Sequence, residues 1–195
     1  MKQMSMFDGD NKFTIDRPVR LIELFAGYGS QYLAMKRLGI NVESWRIAEW
    51  AVKSIQAYKD LHFGDDNTDY SAELSDGEIA EFLFRKGISA DYNKPMTMEQ
   101  IKRLGEQKRR TIYNNIIATH NLVSVTNTHA QDLGIIDTDK YIYCLTYSFP
   151  CQDLSLAGKG AGMARGGKLV ADCFGKSSAF WTNVSSTTGT YRPCF

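Results

Sequence analysis

The sequence has no apolar run long enough to cross a bilayer, and its opening segment, MKQMSMFDGDNKF, lacks the apolar stretch of an export signal. That argues against a membrane-spanning helix and points to the cytoplasm, where its four cysteines are expected to be reduced thiols and not a disulfide framework. It has no CxxC pair and no His/Cys cluster, so nothing suggests a zinc site or any other metal. It has almost no net charge, at +1, so no global basic field speaks for nucleic acid and none speaks against a local basic groove. No segment repeats. What remains is the composition of an ordinary globular chain, 43% hydrophobic and 23% charged over 195 residues, enough for one domain with a real core.

Residues 1–18 form a polar lead-in. The run Arg20 to Phe25, RLIELF, then breaks into AGYGS, and QYLAMKRLG follows at helical spacing with Gly39 as its stop. Asn41 to Ala48, NVESWRIA, alternates as a second strand ending near Glu49, and AVKSIQAYKDLH reads as a second helix. Strand, glycine turn, helix, strand, acid and helix in that order open a parallel α/β sheet. From 64 to 128 the pattern changes. FGDDNTDYSAELSDG is acidic and turn-rich, MTMEQIKRLGEQKRRTIYNNIIATHNLVSV looks helical, and the stretch is expected to be an insertion or elaborated crossover. Its basic patch, Lys108, Arg109 and Arg110, reads more readily as a solvated helix face than as a phosphate contact. Tyr141 to Tyr147 is a further buried-strand candidate, with Cys144 inside it.

Two positions carry chemistry. In Leu24-Phe25-Ala26-Gly27-Tyr28-Gly29-Ser30, two glycines one residue apart let the backbone bend sharply and approach a ligand, and the next helix offers unpaired N–H groups at its start. A GxG alone is a weak signal. Glu49, about twenty residues on at the end of the second strand, raises it, because a carboxylate there can accept from both ribose hydroxyls of a nucleoside. The full GxGxxG is absent, which favours a nucleoside without a pyrophosphate. Trp50 is placed either to stack on adenine or to fill the core, and Asp132, in THAQDLGII, either to meet the adenine amino group or to make a turn.

The second position is YSFPCQDLS. Pro150 fixes its own φ and restricts its predecessor, so Cys151 is expected in a stiff turn at the exit of the 141–147 strand. Open α/β sheets bind ligands at that end of their strands, and a thiolate there is a strong nucleophile. A buried structural thiol is the plainer reading of an arbitrary cysteine. The strand exit favours the reactive one.

LFAGYGS after one strand, an acid and tryptophan after the next, and FPCQDLS followed by AGKGAGMARG closely resemble the cytosine-C5 DNA methyltransferases, over most of residues 19–167. The resemblance implies a class I, Rossmann-like α/β methyltransferase sheet, incomplete at its C-terminus. It implies methyl transfer from S-adenosyl-L-methionine to C5 of a cytosine flipped out of duplex DNA, in the setting of restriction-modification. Phe25, Ala26, Gly27, Tyr28 and Gly29 would form the cofactor turn, Glu49 would bind the ribose, Trp50 would lie against the adenine and Asp132 would approach its amino group. Cys151 would attack C6 with Pro150 fixing its loop. Gln152 and Ser155 would act in that loop through backbone contacts, and Lys159 and Arg165 would meet phosphates from the glycine-rich loop.

The same resemblance marks what is missing. The family's base-binding glutamate has no counterpart, since no glutamate occurs from Cys151 to Phe195, and neither an arginine motif nor a DNA-reading region is found. The chain is therefore expected to be inactive by itself or dependent on a complementing C-terminal chain; the alternatives are a non-catalytic remnant that binds the cofactor or a partner, and a truncated product without function that folds poorly. Residues 168–195 are atypical, rich in Ser, Thr and Gly with weak periodicity. Family members resume after the loop with a string like TRSGLLWEVERIL. Joining the last base of each codon from Lys168 onward to the first two of the next permits that string at thirteen consecutive positions, and the junction of Asp172 and Cys173 forces its leucine. The tail is thus expected to be an out-of-frame reading; coding DNA that fails to spell the string in the shifted frame would exclude this.

Overall fold

The structure, a computed structural model, describes residues 15–147. Three parallel strands form its sheet: β1 (Val19–Leu24), β2 (Val42–Ala48) and β3 (Ile142–Tyr147), in the order β2-β1-β3. All six residues of β1 are buried, as befits a central strand covered on both faces. The register pairs Leu24 with Ala48 on one side and with Tyr147 on the other, so all three strands end at one edge of the sheet.

Helix α1 (Ser30–Arg37) follows β1, and α2 (Val52–His62) follows β2. Gly39, at φ +74°, closes the first helix, its N–H donating to the Lys36 carbonyl. One face of the sheet packs Ile47 against Tyr58 of α2 and Ala26. The other buries Ile22, Leu24 and Ala48 under Leu133 and the half-buried Leu122, Val125 and Ile135, all from the segment that leads back to β3. Between Leu21 and Ile22 the β1–β2 register slips by one residue, leaving Trp45 as the bulge. Its indole N–H donates to the Leu133 carbonyl at 2.9 Å, tying that return segment to the sheet. At the strand starts, the Arg20 guanidinium lies 3.6 Å from the ring centres of both Trp45 and Tyr141 and donates to Glu43 and to the Tyr143 hydroxyl.

The 64–128 stretch is a layer of three helices, α3 (Asp76–Lys86), α4 (Met98–Lys102) and α5 (Glu106–Ala118), around Ile79, Leu83, Ile88, Ile101, Ile112 and Ile116, with Ile55 of α2 joining the same cluster. Ser75 and Glu78 form a capping box that starts α3 inside the acidic, turn-rich segment. The single helical run expected from Met96 to Val125 is broken at Gly105, whose φ of +76° no helix accepts, and it stops at Ala118. The basic patch also differs from expectation. Arg109 is buried, forks onto the Asp76 carboxylate and donates to the last carbonyls of α4, while Arg110 donates to the carbonyls of Ser71 and Leu74. Only Lys108 is exposed. Two of the three charges are structural ties, because the helical layer turns its carbonyl ends and an acidic helix start toward α5.

Candidate functional site

The common edge at which the three strands end holds the glycine turn. Phe25 leaves β1 in the left-handed region at φ +57°, and Gly27 and Gly29 follow at +55° and +72°. The Ala26 N–H donates to the Ala48 carbonyl, and the Gly29 N–H closes the turn on the Ala26 carbonyl at 2.8 Å. Ala26 and Gly29 are buried, whereas Tyr28 is 59% exposed at the crest.

Glu49 sits one residue past β2, beside this turn, and is only 7% exposed. The Gly27 N–H donates to its Oε2 at 3.0 Å and the Ala51 N–H to its Oε1 at 2.8 Å. A carboxylate has about four acceptor positions, so acceptor capacity beyond these bonds remains for a ligand. Burial holds the carboxyl above the usual carboxylate range, opposed by the backbone N–H groups of Ala51, Gly27 and Trp50. Thus the structure does bring the glycine turn and the acid together, by a direct hydrogen bond.

Trp50 packs against the helical core, and its carbonyl accepts from the Ser89 N–H at 2.7 Å. Asp132 is exposed on a 3-10 turn, Ala130–Leu133, with its Oδ2 accepting from the His129 N–H at 2.7 Å. It borders a cleft of about 400 Å³ walled by Phe82, Leu122, Thr128 and His129 and flanked by Arg85 and Lys86. Pro150, Cys151, Gln152, Ser155, Lys159 and Arg165 lie outside the described residues.

Four residues that sequence reading passed over also shape the site. Glu23, 1% exposed, accepts from the Tyr58 hydroxyl at 2.7 Å and from the Tyr32 N–H at 3.3 Å. It caps the start of α1 from within β1, where Gly29 has no side chain to do so. Burial pushes the Glu23 carboxyl up, and Tyr58, which also meets the Ser44 hydroxyl at 2.9 Å, is raised for the same reason. His62 hydrogen-bonds the Tyr28 carbonyl through Nε2 at 2.8 Å, and its ring meets Tyr32 and Tyr58 edge-on. Asn121, 4% exposed, brackets the main chain of Glu49. The acid inside an apolar strand was the one visible signal, for Glu23; the other three lie on elements that only the fold brings near.

A strand order with parallel neighbours, a glycine turn bonded to an acid at the next strand's end, and a third strand running toward FPCQDLS together fit one group of proteins. Residues 89–175 match the family of C-5 cytosine-specific DNA methylases. The chain belongs to the cytosine-C5 DNA methyltransferases. Among curated members, it is 31% identical over 154 residues to the orphan methyltransferase M.SssI of Spiroplasma monobiae, covering 77% of this chain and 38% of that one. It is 33% identical over 167 residues to the type II methyltransferase M2.ScrFI of Lactococcus lactis subsp. cremoris, covering 84% of this chain and 42% of that one. The chain therefore spans about two fifths of the length of the methyltransferases it matches. Among the described residues no group of three or more His, Cys, Asp or Glu could hold a metal ion, and no helix is long and apolar enough to cross a membrane.

Proposed function

We propose that this chain carries the cofactor half of a DNA (cytosine-5-)-methyltransferase site and the nucleophile for its base, acting on duplex DNA in the cytoplasm. The observation that carries the reading is the shared edge. Parallel pairing of β1 with β2 and β3 puts the glycine turn, Glu49 and the exit of Tyr147 beyond the same ends of three adjacent strands. Open α/β sheets bind ligands at that edge. Cys151 follows Tyr147 by four residues, a reach of at most about 14 Å.

The donor set fits a nucleoside. Glu49 keeps acceptor capacity for the ribose hydroxyls, and the turn preceding α1 presents backbone with no pyrophosphate to cradle. S-adenosyl-L-methionine, when bound, supplies an electrophilic methyl group. Glu49 orients the nucleoside, Phe25 to Gly29 line its approach and Asp132 meets the adenine edge. The Cys151 thiolate adds to C6 of the flipped cytosine, and the displaced electron pair makes C5 the nucleophile that would take the methyl, the donor leaving as the neutral thioether. Loss of the C5 proton to a base then lets the sulfur–C6 bond break, which restores both the aromatic ring and the thiolate. Lys159 and Arg165 contact phosphate during this sequence, and a second chain contributes the glutamate and the DNA-reading surface.

Calorimetric titration of the full chain with S-adenosyl-L-methionine tests the reading. Binding is expected, weakened at least about tenfold in Glu49→Ala; a chain that binds nothing, or a mutant that binds equally well, would sink it. The raised carboxyl gives the binding a pH signature. Acceptance from two hydroxyls favours the ionised form, so affinity is flat above the Glu49 pKa and falls below it, by up to about tenfold per pH unit. Because burial raises that pKa, the fall begins at higher pH than for a surface glutamate. Ligand-free stability runs the other way. The folded chain holds this proton more tightly than the unfolded one, so the group's contribution is full at low pH and is lost as pH rises through the folded pKa.

A further inference from the structure

We infer that Asn121 is a positioning residue for Glu49 and sets the chain's preference for a ribose over a 2′-deoxyribose ligand, an inference that rests on the nucleoside reading above. The carboxamide of Asn121 holds both main-chain groups of Glu49. The Glu49 N–H donates to Asn121 Oδ1 at 3.1 Å, and Asn121 Nδ2 donates to the Glu49 carbonyl at 2.9 Å. Such two-way pairing is what a neighbouring strand would give, at a point where β2 has already ended at Ala48. The main chain beside Asn121 continues the pattern, with Ile47 and Asn121 in a parallel bridge and the Leu122 N–H donating to the Ile47 carbonyl at 2.8 Å.

Asn121 is itself held from both sides. Its N–H donates to the Ile116 carbonyl at the end of α5, and its Oδ1 also accepts from the Val123 N–H at 2.8 Å. Val123 takes φ +70°, a region a β-branched residue occupies only where its surroundings hold it, and it is 1% exposed within the helical core. Hence the 64–128 crossover delivers one amide, three residues past the end of α5, to the backbone of the site's acid. The carboxylate end of Glu49 is fixed by Gly27 and Ala51, and its backbone end by Asn121. With four donors and acceptors in place, the remaining acceptor positions of the carboxylate point in fixed directions. Releasing the backbone end lets them swing, and the ligand with two hydroxyls to place against them loses most.

The experiment measures affinity of the full chain for S-adenosylhomocysteine and for its 2′-deoxyribose counterpart by calorimetry. The proteins are the wild type, Asn121→Ala, Asn121→Asp, and Ile79→Val as a core change outside the site. Asn121→Asp keeps the acceptor for the Glu49 and Val123 N–H groups and turns the donor to the Glu49 carbonyl into a second acceptor. The wild type and Ile79→Val are expected to favour the ribose ligand by about tenfold, and both Asn121 variants to lose that preference to within about twofold. Asn121 variants that keep the preference, or that weaken both ligands equally, would overturn the inference and leave Asn121 a structural amide. A wild type that binds neither ligand would instead remove the nucleoside reading, and the inference with it. Should neither variant fold, NMR of the wild-type chain decides. The Asn121 side-chain amide and Glu49 amide resonances are expected to shift together on saturation with the ribose ligand and much less with the deoxy one. Equal shifts with both, or none, overturn it.

Discussion

Gly29→Ala is expected to lower folding stability by about 3 kcal/mol or more, while Gly27→Ala, two residues away in the same turn, costs about 1 kcal/mol. Both glycines lie in the left-handed region, at φ +72° and +55°, so both substitutions carry the backbone penalty of an L-residue there. Only Gly29 adds a collision. A Cβ at that position would overlap Nε2 of His62 and lie 2.6 Å from Cε2 of Tyr58, whereas a Cβ on Gly27 meets nothing within 4 Å. Neither neighbour can step aside cheaply. Tyr58 is fully buried and hydrogen-bonded to Glu23 and Ser44, and His62 is bonded to the Tyr28 carbonyl. Urea denaturation of the two variants against the parent chain measures the difference, and equal midpoints would show that the turn can be displaced away from α2. In Gly29→Ala, cofactor binding is expected to fall with stability. In Gly27→Ala the Gly27-to-Glu49 hydrogen bond comes from the backbone and is retained, so affinity should change only severalfold.

Cys151→Ala is expected to abolish covalent capture of duplex DNA containing 5-fluorocytosine and to leave S-adenosyl-L-methionine affinity unchanged. Fluorine at C5 cannot leave as a proton does, so after methyl transfer the sulfur–C6 bond persists and the protein stays on the DNA. Alanine has no atom to add to C6, and any methyl transfer should fall by a factor on the order of 10⁴ or more. Gel-shift under denaturing conditions reads the adduct, and calorimetry reads the cofactor. An adduct that persists in the mutant would assign the nucleophile elsewhere. Cofactor binding lost together with the adduct would mean that the 148–155 segment supports the pocket as well as the chemistry. The contrast with Glu49→Ala, which removes cofactor binding first, separates the two halves of the site.

Much of the site was legible because its residues sit where chain chemistry is local. A glycine pair after a strand must turn, and an acid at the next strand's end must lie near that turn in a parallel sheet. Those patterns need only neighbouring residues and the period of two that makes a strand. They led to β1, α1, β2, α2 and β3 close to their observed bounds, and to the family.

The crossover was harder to read. Gly105 and the capping boxes at Ser75 and Thr97 are local signals for three separate helices, yet the apolar spacing across Met96–Val125 fits one long helix equally well. The basic run at Lys108–Arg110 has no local feature to show that two of its guanidinium groups turn inward. That depends on an acidic helix start and open carbonyls supplied more than thirty residues away in the case of Asp76 and Leu74.

The sequence by itself determined the strand–turn–helix order, the place of Glu49 at the end of the second strand, and the family, because each rests on residues adjacent along the chain. Tertiary structure alone decided what holds the acid in place. Glu49 and Asn121 are 72 residues apart, and His62 and Tyr28 are 34 apart. A side-chain amide has no pattern that names a distant backbone partner, so only the closing of the crossover onto the end of β2 brings the two together.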